Sequence, residues 1–308
     1  MPTPPSGEQV ELRHGPWRAV VVEVGGALRA LEHGRAPLLD GDGEREMASG
    51  GRGQPLLPWP NRLAGGRYRF GGRDVEAPVN ERATGSAIHG LTRWMPWRVA
   101  DRRPDRCAMT LRLPPSPPYP FQLDLRIDYT LGDDGLEVAL SAANAGDGPL
   151  PFGGGFHPYL TLGEATIDGL AVRVPAATWL PADERGIPTG ERRPVAGDAD
   201  LRDGAAIGRR VLDTCLTDLA RDPDGRARAV LSAPDGRAVT LWMDEGYGFV
   251  MVFTGDTLPP ERRRRGLAVE PMTCAPDAFN SADGLVVLEP GASLTARWGI
   301  AYEDGPGS

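Results

Sequence analysis

Between residues 121 and 142 the chain alternates between apolar and polar side chains, and this pattern limits the possible fold more than any other feature. Every second position from Phe121 to Leu131 is apolar, over eleven residues. A period of two places one face of a β-strand in a core and the other in water. A Gly-Asp-Asp-Gly turn at residues 132–135 then reverses the chain, and Leu136 to Ala142 repeats the period. The sequence therefore predicts a long antiparallel hairpin.

Short apolar runs separated by turn residues make up most of the remaining sequence. The 308 residues include 41 Gly and 31 Pro, which punctuate the apolar runs instead of clustering. We find no sustained helical period, linker or internal repeat, although one helical turn fits residues 198–201. We therefore predict an all-β fold with many antiparallel strands in two packed sheets. The expected organisation is a single domain over residues 1–308, with residues 1–8 as a disordered tail.

The composition of the chain excludes several classes of function. Its formal net charge of −8 argues against nucleic acids and anionic membranes as general partners. All 34 basic residues are Arg, and without Lys neither a Schiff-base mechanism nor a P-loop is available. The three Cys form no C-x-x-C motif, and no apolar run approaches the ~18 residues of a membrane span. With no recognisable signal peptide, we expect a cytoplasmic protein without a disulfide framework.

Glu270 is the first candidate for a catalytic residue. It follows the apolar run Leu267 to Val269 and precedes Pro271. Because proline cannot donate to a strand ladder, we expect a strand to end at Glu270, with a rigid loop beyond it. A carboxylate in that position is typical of active sites, where the scaffold holds the side chain and the loop exposes it. An edge-strand glutamate in water is the alternative interpretation.

Two of the four histidines are candidates for acid–base chemistry. His14 and His33 each precede Gly in an apparent hairpin turn, which predicts exposed side chains. His89 follows an apolar pair and precedes Gly, as at a strand end. His157 follows three glycines and Phe156, and a proline comes next. Glycine lets another group approach the backbone closely, and proline stops strand pairing, so His157 fits a site in a break between strands. Singly, each histidine also fits a structural role.

An arginine and an aspartate complete the set of polar candidates. Arg62 follows Asn61 and the segment around Trp59, so a guanidinium fork is expected beside an indole. Asp213 lies inside an apolar run, and Asp218 competes with it for the same role. A surface Arg packed on Trp and an Asp in a turn are the alternative interpretations.

These candidates are far apart in sequence, but strand ends from distant segments meet at one face of a β-sandwich. Together they suit acid–base chemistry on a small molecule. No cofactor motif is present, and the histidines lack the close spacing of a metal-binding pair, so we predict neither a cofactor nor a metal. No Ser or Cys lies in a nucleophile elbow, which argues against a catalytic triad.

Five motifs in order give the chain a specific resemblance. They are PWPNR at 58–62, IHG at 88–90, FHPYL at 156–160, LDTC at 212–215 and VEPMTCAPDAFN at 269–280. With these motifs the chain resembles the aldose 1-epimerases, the galactose mutarotase family, over roughly residues 10–302. Their detailed form looks more like the bacterial branch that includes sulfoquinovose mutarotase.

The resemblance implies a galactose-mutarotase-like β-supersandwich that interconverts the α and β anomers of a free aldose. It implies that Glu270 is the general base that takes the proton of the C1 hydroxyl. It makes His157 the general acid that protonates the ring oxygen, with His89 assisting. For this chemistry we expect the two pKa values to be set apart, so that one group is ionised and the other protonated. A positive charge nearby would help to keep Glu270 ionised.

The resemblance also implies which residues bind the sugar. Arg62 and Asp213 would bind its hydroxyl groups, and Asn61, Asn80 and Trp59 are further candidates for substrate contacts. A small sugar is the expected partner of a monomer or homodimer, and neither nucleic acid nor membrane is expected.

Three alternatives to a neutral-hexose mutarotase remain. The substrate could be an anionic sugar, sulfonated or phosphorylated, met by Arg93, Arg67 or the Arg262–Arg265 run. That run is otherwise expected to be a solvated loop. The protein could be a sugar-binding homologue without turnover. A glycosidase would use Asp213 and Glu270 as its two carboxylates, but this would leave the two histidines unexplained.

Overall fold

The computed structural model describes residues 3–305, and nearly all of its regular structure is strand. The strands in chain order are β1 Gln9–His14, β2 Trp17–Val22, β3 Leu28–His33, β4 Ala36–Pro37, β5 Pro55–Leu56, β6 Arg62–Leu63, β7 Arg67–Phe70, β8 Arg73–Glu76, β9 Ala87–Ile88, β10 Arg98–Arg102, β11 Arg106–Leu113, β12 Leu123–Gly132, β13 Gly135–Asn144, β14 Leu150–Phe152, β15 Gly155–Phe156, β16 Tyr159–Leu160, β17 Ala171–Arg173, β18 Ala176–Leu180, β19 Arg193–Pro194, β20 Ala205–Ala206, β21 Asp213–Leu219, β22 Ala227–Ser232, β23 Ala238–Met243, β24 Phe249–Phe253, β25 Leu267–Met272, β26 Val286–Leu288 and β27 Ser293–Glu303. The all-β prediction is confirmed.

Helical structure in the described residues is limited to short turns. The 3-10 turns are Ala64–Gly66, Ile167–Gly169 and Gly197–Ala199, and the single α-helical turn is Ala278–Ser281. The turn at 197–199 overlaps the one expected at 198–201. None of these turns is long and apolar enough to cross a membrane.

A nine-stranded antiparallel sheet contains the predicted hairpin. Its order is β10-β11-β12-β13-β27-β23-β22-β17-β20. The hairpin of β12 and β13 pairs without a break from Leu123 opposite Asn144 to Gly132 opposite Gly135. It begins two residues later than predicted, because Phe121 follows a proline-rich segment and packs its ring against Phe70 and Tyr119 instead.

The second large sheet has eight strands, in the order β19-β18-β21-β24-β25-β15-β5, and β16 also pairs with β25. The two large sheets share one continuous hydrophobic core, in which Phe156 packs on Trp298 with ring centroids 5.1 Å apart. A four-stranded meander, β1-β2-β3-β4, packs against β11 and β12. A two-sheet core fits the predicted supersandwich.

The expected disordered tail is not seen at residues 6–8. Ser6 is buried, and its carbonyl accepts a hydrogen bond from the Val24 N–H. Glu8 forms an ion pair with Arg102 and donates its N–H to Glu23. Met1 and Pro2, the first residues of the predicted tail, lie outside the described residues.

The strand prediction around Glu270 is wrong at its end, because β25 continues past Pro271 to Met272. Peptide groups of a strand alternate between its two neighbours. The Val269 N–H faces β16 and donates to the Pro158 carbonyl, so Pro271 faces the same side. By the register of β15 and β16 its neighbour there is Phe156, the last residue of β15, and only Gly155 of that strand pairs with β25, so one missing donor is tolerated. Glu270 therefore lies inside a buried strand and not at the mouth of a loop.

Candidate active site

His157 and Glu270 are brought together by strand register. On either side of them the paired residues are Gly155 with Met272 and Tyr159 with Ala268. Continuing this register through the gap places His157 directly opposite Glu270. Side chains directly opposed on antiparallel neighbours project from the same face and come into contact. Two residues more than a hundred positions apart therefore meet by ordinary strand pairing.

The two side chains are in direct contact and are almost completely buried. His157 Nε2 lies 3.2 Å from Glu270 Oε1, with side-chain exposures of 5% and 2%. The second carboxylate oxygen, Oε2, has no hydrogen-bond partner in the described structure. A buried carboxylate oxygen without a partner is costly unless a ligand supplies one. This oxygen is therefore available to a substrate hydroxyl.

His89 is held by a second cross-strand pair, with Asn61. The two residues lie just beyond β6 and β9, whose register places them opposite one another. Both adopt left-handed backbone conformations, with φ of 53° at Asn61 and 65° at His89. The His89 N–H donates to Asn61 O at 2.9 Å, and the Asn61 N–H donates to His89 Nδ1 at 3.2 Å. Non-glycine residues in this conformation are strained, and such strain concentrates at functional sites.

Arg62 is held between two carboxylates. Its guanidinium donates to both oxygens of Glu81, at 2.7 Å and 3.0 Å, and lies 3.6 Å from Asp213 Oδ2. Glycine is required at Gly186, because a Cβ there would overlap the guanidinium. Asp213 itself is the first residue of β21, opposite Phe253. This arrangement fixes the fork of Arg62 with Asp213 beside it.

These side chains line one cavity of about 260 Å³. Its wall is formed by Ala48, Gly50, Gly51, Asn61, Arg62, Glu81, Ile88, His89, Arg93, Trp94, His157, Tyr159, Asp213, Phe253, Thr257, Leu258 and Glu270. Two larger grooves, of about 630 and 650 Å³, lie elsewhere on the surface and contain no histidine. We therefore take the smaller cavity as the candidate active site, since it alone among these three combines imidazoles with a carboxylate.

Burial moves the protonation of the central pair toward its uncharged forms. Burial raises the pKa of Glu270 well above the ordinary carboxyl value; Asp213 raises it further, and Arg62 lowers it. Burial, Arg93 and Arg52 lower the pKa of His157 to about 3. These two shifts favour a pair that carries one proton, held by Glu270, over an ion pair. They oppose the charge separation expected from the sequence, although Arg62 does act on Glu270 in the expected direction.

His89 is a neutral hydrogen-bond donor. Its pKa is lowered well below the ordinary value, first by burial and then by Arg93, His157 and Arg62. Nδ1 accepts a hydrogen bond from the Asn61 N–H, so the single ring proton of the neutral form is on Nε2. The His89 and His157 rings meet edge to face, with centroids 5.3 Å apart. His89 can therefore donate to an oxygen beside His157 without adding charge.

Two of the predicted substrate contacts lie outside the cavity. Trp59 is buried in the core, where Nε1 donates to the Ala87 carbonyl and the ring packs on Phe279. The Asn80 amide exchanges two hydrogen bonds with the backbone of Ile88, at 2.7 Å and 3.1 Å. The two flanking prolines allow the indole to pack inward or outward, and in this structure it packs into the core. Asn80 holds the short strand that leads to His89, so both residues support the site from behind.

The other predicted residues do line the cavity, namely Asn61, Arg62, His89, His157, Asp213 and Glu270. Asp218, the competitor of Asp213, does not. The sequence analysis missed Glu81 and Tyr159. Glu81 lies in a polar stretch without a pattern, and Tyr159 could have been found from the alternation that places it two residues after His157.

The arginines proposed to bind an anionic sugar differ in their ion pairs and in whether they line the cavity. Arg67 is exposed and pairs with Glu76 away from the cavity. The arginines at 262, 264 and 265 are bound to carboxylates, and the first and second of these are mostly buried. The run is therefore solvated at Arg263 and Arg265, as expected, but its other two arginines are paired and do not form a free anion patch. Arg93 lines the cavity.

The fold and these residues agree with a known family. The sequence profile of the family "Aldose 1-epimerase" matches residues 8–301. The chain belongs to the aldose 1-epimerase family. An uncharacterized protein, YihR, of Escherichia coli K12 is 33% identical over 93% of this chain and 90% of its own length. Human galactose mutarotase is 32% identical over 50% of this chain and 46% of its own.

Solved structures of this family share the fold. A GalM/aldose epimerase homologue from C. elegans has a TM-score of 0.87 at 18% identity, covering 97% of this chain and 99% of its own. A galactose mutarotase-like protein from Clostridium acetobutylicum has a TM-score of 0.85 at 18% identity, covering 96% and 94%. At these identities the likeness concerns the fold alone. Membership of the aldose 1-epimerase family supports an enzyme of the isomerase class with a mutarotase-type function.

Proposed function

We propose that the protein is an aldose 1-epimerase that interconverts the α and β anomers of a free aldohexose. The observation that carries the proposal is the His157–Glu270 contact of 3.2 Å on the wall of a cavity of about 260 Å³. Most ligand pockets have volumes of about 300–1,000 Å³. This smaller cavity suits a ligand the size of one pyranose ring. A proton donor and a proton acceptor in contact are what anomer exchange requires.

Ring opening needs two proton transfers, which the pair supplies together. With O1 at Glu270 and O5 at His157, the shared proton moves across the contact to the imidazole. Glu270 then takes the O1 proton while His157 gives its proton to O5, the C1–O5 bond breaks and the C1–O1 bond becomes a carbonyl. The raised pKa of Glu270 makes it a stronger base, and the lowered pKa of His157 makes its protonated form a stronger acid. Both transfers are therefore favoured once the ion pair has formed.

Closure on the other face of C1 reverses every step. After rotation about C1–C2, His157 takes the proton from O5 as O5 attacks C1, and Glu270 returns its proton to O1. The pair ends in the state in which it began, so no external acid, base or cofactor is consumed. His89, a neutral donor, polarises the same oxygen region through Nε2.

Arg62 and Asp213 would orient the ring for this chemistry. Their 3.6 Å separation leaves room for a sugar hydroxyl to accept from the guanidinium and donate to the carboxylate. Because Glu81 already holds Arg62 through two hydrogen bonds, the fork needs little reorganisation on binding.

The first experiment is polarimetry or exchange NMR on fresh α-D-glucose and α-D-galactose, with and without the protein. We expect faster approach to anomeric equilibrium, and for Glu270→Gln a loss of about 10²–10⁴-fold in rate with sugar affinity largely kept. Glu137→Gln is the matched control, since this half-exposed glutamate lies on the nine-stranded sheet and not at the cavity. Unchanged turnover in Glu270→Gln would refute the assigned base. Sugar binding without any acceleration would instead favour a binding protein.

One observation favours an anionic sugar as the second candidate. Among residues 3–305, Arg93 has no carboxylate within ion-pair distance, although it lines the cavity beside Trp94. Burial lowers its pKa to about 10 against the attraction of Glu81, and its guanidinium donates to Gln54 Oε1 at 3.4 Å. A buried cation without a counter-ion is stabilised by an anionic ligand.

Arg93→Met tests this second candidate against Arg98→Met, which removes an exposed arginine from the nine-stranded sheet. With α-sulfoquinovose as substrate, Arg93→Met should lower kcat/KM about 10-fold or more relative to its effect on glucose. Equal effects on both sugars would exclude a subsite for an anion at Arg93.

A further inference from the structure

The loop at residues 49–53 forms a rigid wall behind His157. A Cβ on Gly51 would lie 2.6 Å from His157 Cδ2, so the glycine touches the imidazole directly. The Tyr159 hydroxyl donates to the Gly50 carbonyl at 2.9 Å. The Gly53 N–H donates to the His157 carbonyl at 2.9 Å. Two peptide units of the loop, 50–51 and 52–53, are therefore hydrogen-bonded to the strand segment that carries His157, and Gly51 between them packs on its ring.

Arg52 extends this wall as the outer member of a series of three planar groups. Its Cζ lies 4.4 Å from the centroid of the Tyr159 ring. The Tyr159 ring in turn stacks on His157, with centroids 4.8 Å apart and planes 11° from parallel. Arg52 is only 3% exposed, so its charge acts through protein and not through water. Contact between a guanidinium and an aromatic face is attractive, most strongly when it is desolvated.

Asp40 fixes the orientation of Arg52. Its Oδ2 accepts from Arg52 Nε at 3.1 Å, and the carboxylate is also buried. The other oxygen, Oδ1, lies 3.5 Å from Arg265 Nε and 3.9 Å from Arg262 NH1. Arg262 also pairs with Asp42, which accepts two hydrogen bonds from Ser49. The arginine-rich run thus anchors the loop, and Asp40 keeps a counter-ion when any one arginine is removed.

We propose that Arg52 is a positioning residue for His157: clamped by Asp40, it presses Tyr159 flat against the imidazole and places a fixed positive charge behind it. The ring is then held in line with Glu270, and its protonated form is short-lived. This inference rests on the proposed role of His157 as the general acid. The stack supplies the orientation, and the charge speeds the release of the proton to the sugar.

The charges around His157 make the effect of Arg52 separable. Glu270 contacts His157 from β25, His89 meets it edge to face, Arg93 lies across the cavity, and Arg52 acts from behind through Tyr159. Glu270 favours the imidazolium, whereas the two arginines disfavour it. Removing Arg52 leaves the other groups in place, so the proton should bind more tightly to the Glu270–His157 pair.

Two substitutions test the charge of Arg52 and its planar stacking on Tyr159 separately. In Arg52→Met the charge is lost, and we expect the pH limbs of kcat and the NMR titration of the His157 ring to move upward by about half to one pH unit. In Arg52→Lys the charge stays but the planar stack is lost, so the pH limbs should stay in place while kcat falls about 10-fold with KM nearly unchanged.

Arg265→Met is the control, since it removes another partner of Asp40 that is half exposed and not stacked on Tyr159. It should change neither kcat nor the titration. The inference is overturned if Arg52→Met leaves the titration in place, or if Arg265→Met moves it equally. The NMR titration is made without sugar, so it tests Arg52 even if no tested sugar is a substrate. Should Arg52→Met fail to fold, Tyr159→Leu tests the stack as Arg52→Lys does, because it removes the ring between Arg52 and His157 while the charge stays. We then expect kcat to fall about 10-fold, and an unchanged kcat would overturn the inference.

Discussion

The two large sheets of this molecule divide its tasks. In the nine-stranded sheet the central strands β12, β13 and β27 have ten or eleven residues and pair without a break. In the eight-stranded sheet β5, β15 and β16 have two residues each, and a gap separates β15 from β16. The buried ionisable pair lies at that gap. An unbroken ladder leaves no space for such groups, whereas a broken one exposes both backbone and side chains to a ligand.

The comparison teaches that the site depends on an interruption supported by regular structure around it. His157 occupies the break, and Glu270 faces it from a continuous strand that also pairs with β24. We therefore expect changes in the nine-stranded sheet to alter stability alone, and changes at the break to alter chemistry most. The following predictions test this division, from the largest expected effect to the smallest.

His157→Asn should lower kcat by about 10²–10⁴-fold, since it removes the acid while keeping a polar side chain of similar reach. Folding should be retained, because the imidazole is not part of the hydrophobic core. Exchange NMR with glucose measures the rate. His14→Asn is the control, since the ring of this histidine bonds the surface residue Asp133 and the change should leave the rate unchanged. A small effect of His157→Asn on kcat would show that the gap between β15 and β16 does not carry the catalytic acid.

Ile127→Ala should destabilise the fold by about 2–5 kcal/mol, because it opens a cavity at a fully buried position of β12. The kcat of the protein that remains folded should not change. Urea unfolding and exchange NMR on the same sample provide the two readings. Arg126→Ala, on the wet face of the same strand, should change the unfolding free energy by no more than about 0.5 kcal/mol. Loss of kcat in Ile127→Ala would show that the sheets are not separate in function.

Gly51→Ala and Gly72→Ala form a matched pair. Both glycines have left-handed φ values, 81° and 78°, so each substitution carries a similar backbone strain of about 1–2 kcal/mol. Only at Gly51 would the new Cβ touch His157, while Gly72 has open space around it. We expect kcat to fall about 10²-fold in Gly51→Ala alone, because a small displacement of the acid is costly. Equal kcat values in the two variants would contradict the tight wall behind His157.

The smallest expected effect is a gain in stability in Glu270→Gln. Because burial raises the pKa of Glu270 in the folded state, the folded protein binds its proton more tightly than the unfolded chain does. This contribution to stability is fully present below the unfolded carboxyl pKa and is lost as the pH rises through the raised folded value. Glutamine does not titrate, so above the raised pKa the variant should be more stable than the wild type, and its stability should depend less on pH. Thermal unfolding at several pH values measures it; an unchanged pH slope would mean that the carboxyl is not desolvated.

The same division explains what could be predicted from the sequence. The β12–β13 hairpin was predictable because its pattern follows from local burial, which depends on period alone. The strand through Glu270 is predicted to end too early, because the neighbour of Pro271, at the end of β15, belongs to a different segment of the chain. The sequence around Pro271 does not show where that neighbouring strand ends.

Site residues could be predicted where they lie in a recognisable motif. They could not be predicted where only the three-dimensional fold brings them to the site. Arg62, His157 and Glu270 lie in short recognisable motifs. Glu81 was missed, because its role depends on facing Arg62 across a fold that the sequence does not display. Trp59 was predicted to contact the sugar. Its sequence neighbours do not determine which way the ring points, and in the structure the ring is buried in the core.

The pairing of His157 with Glu270 across neighbouring strands also fixes the distance between the acid and the base. Adjacent strands of a sheet stand about 4.7–4.9 Å apart. Here backbone hydrogen bonds flank the pair on both sides, from Thr273 N–H to the Gly154 carbonyl and from Val269 N–H to the Pro158 carbonyl. An acid and a base on two domains or on a flexible lid must be gathered anew in each turnover, but here their backbones cannot separate without opening the sheet. Substrate exchange and proton movement, rather than closure of the protein, are then the steps left to limit the rate. An increase in solvent viscosity should therefore slow turnover only as far as diffusion of the sugar is slowed.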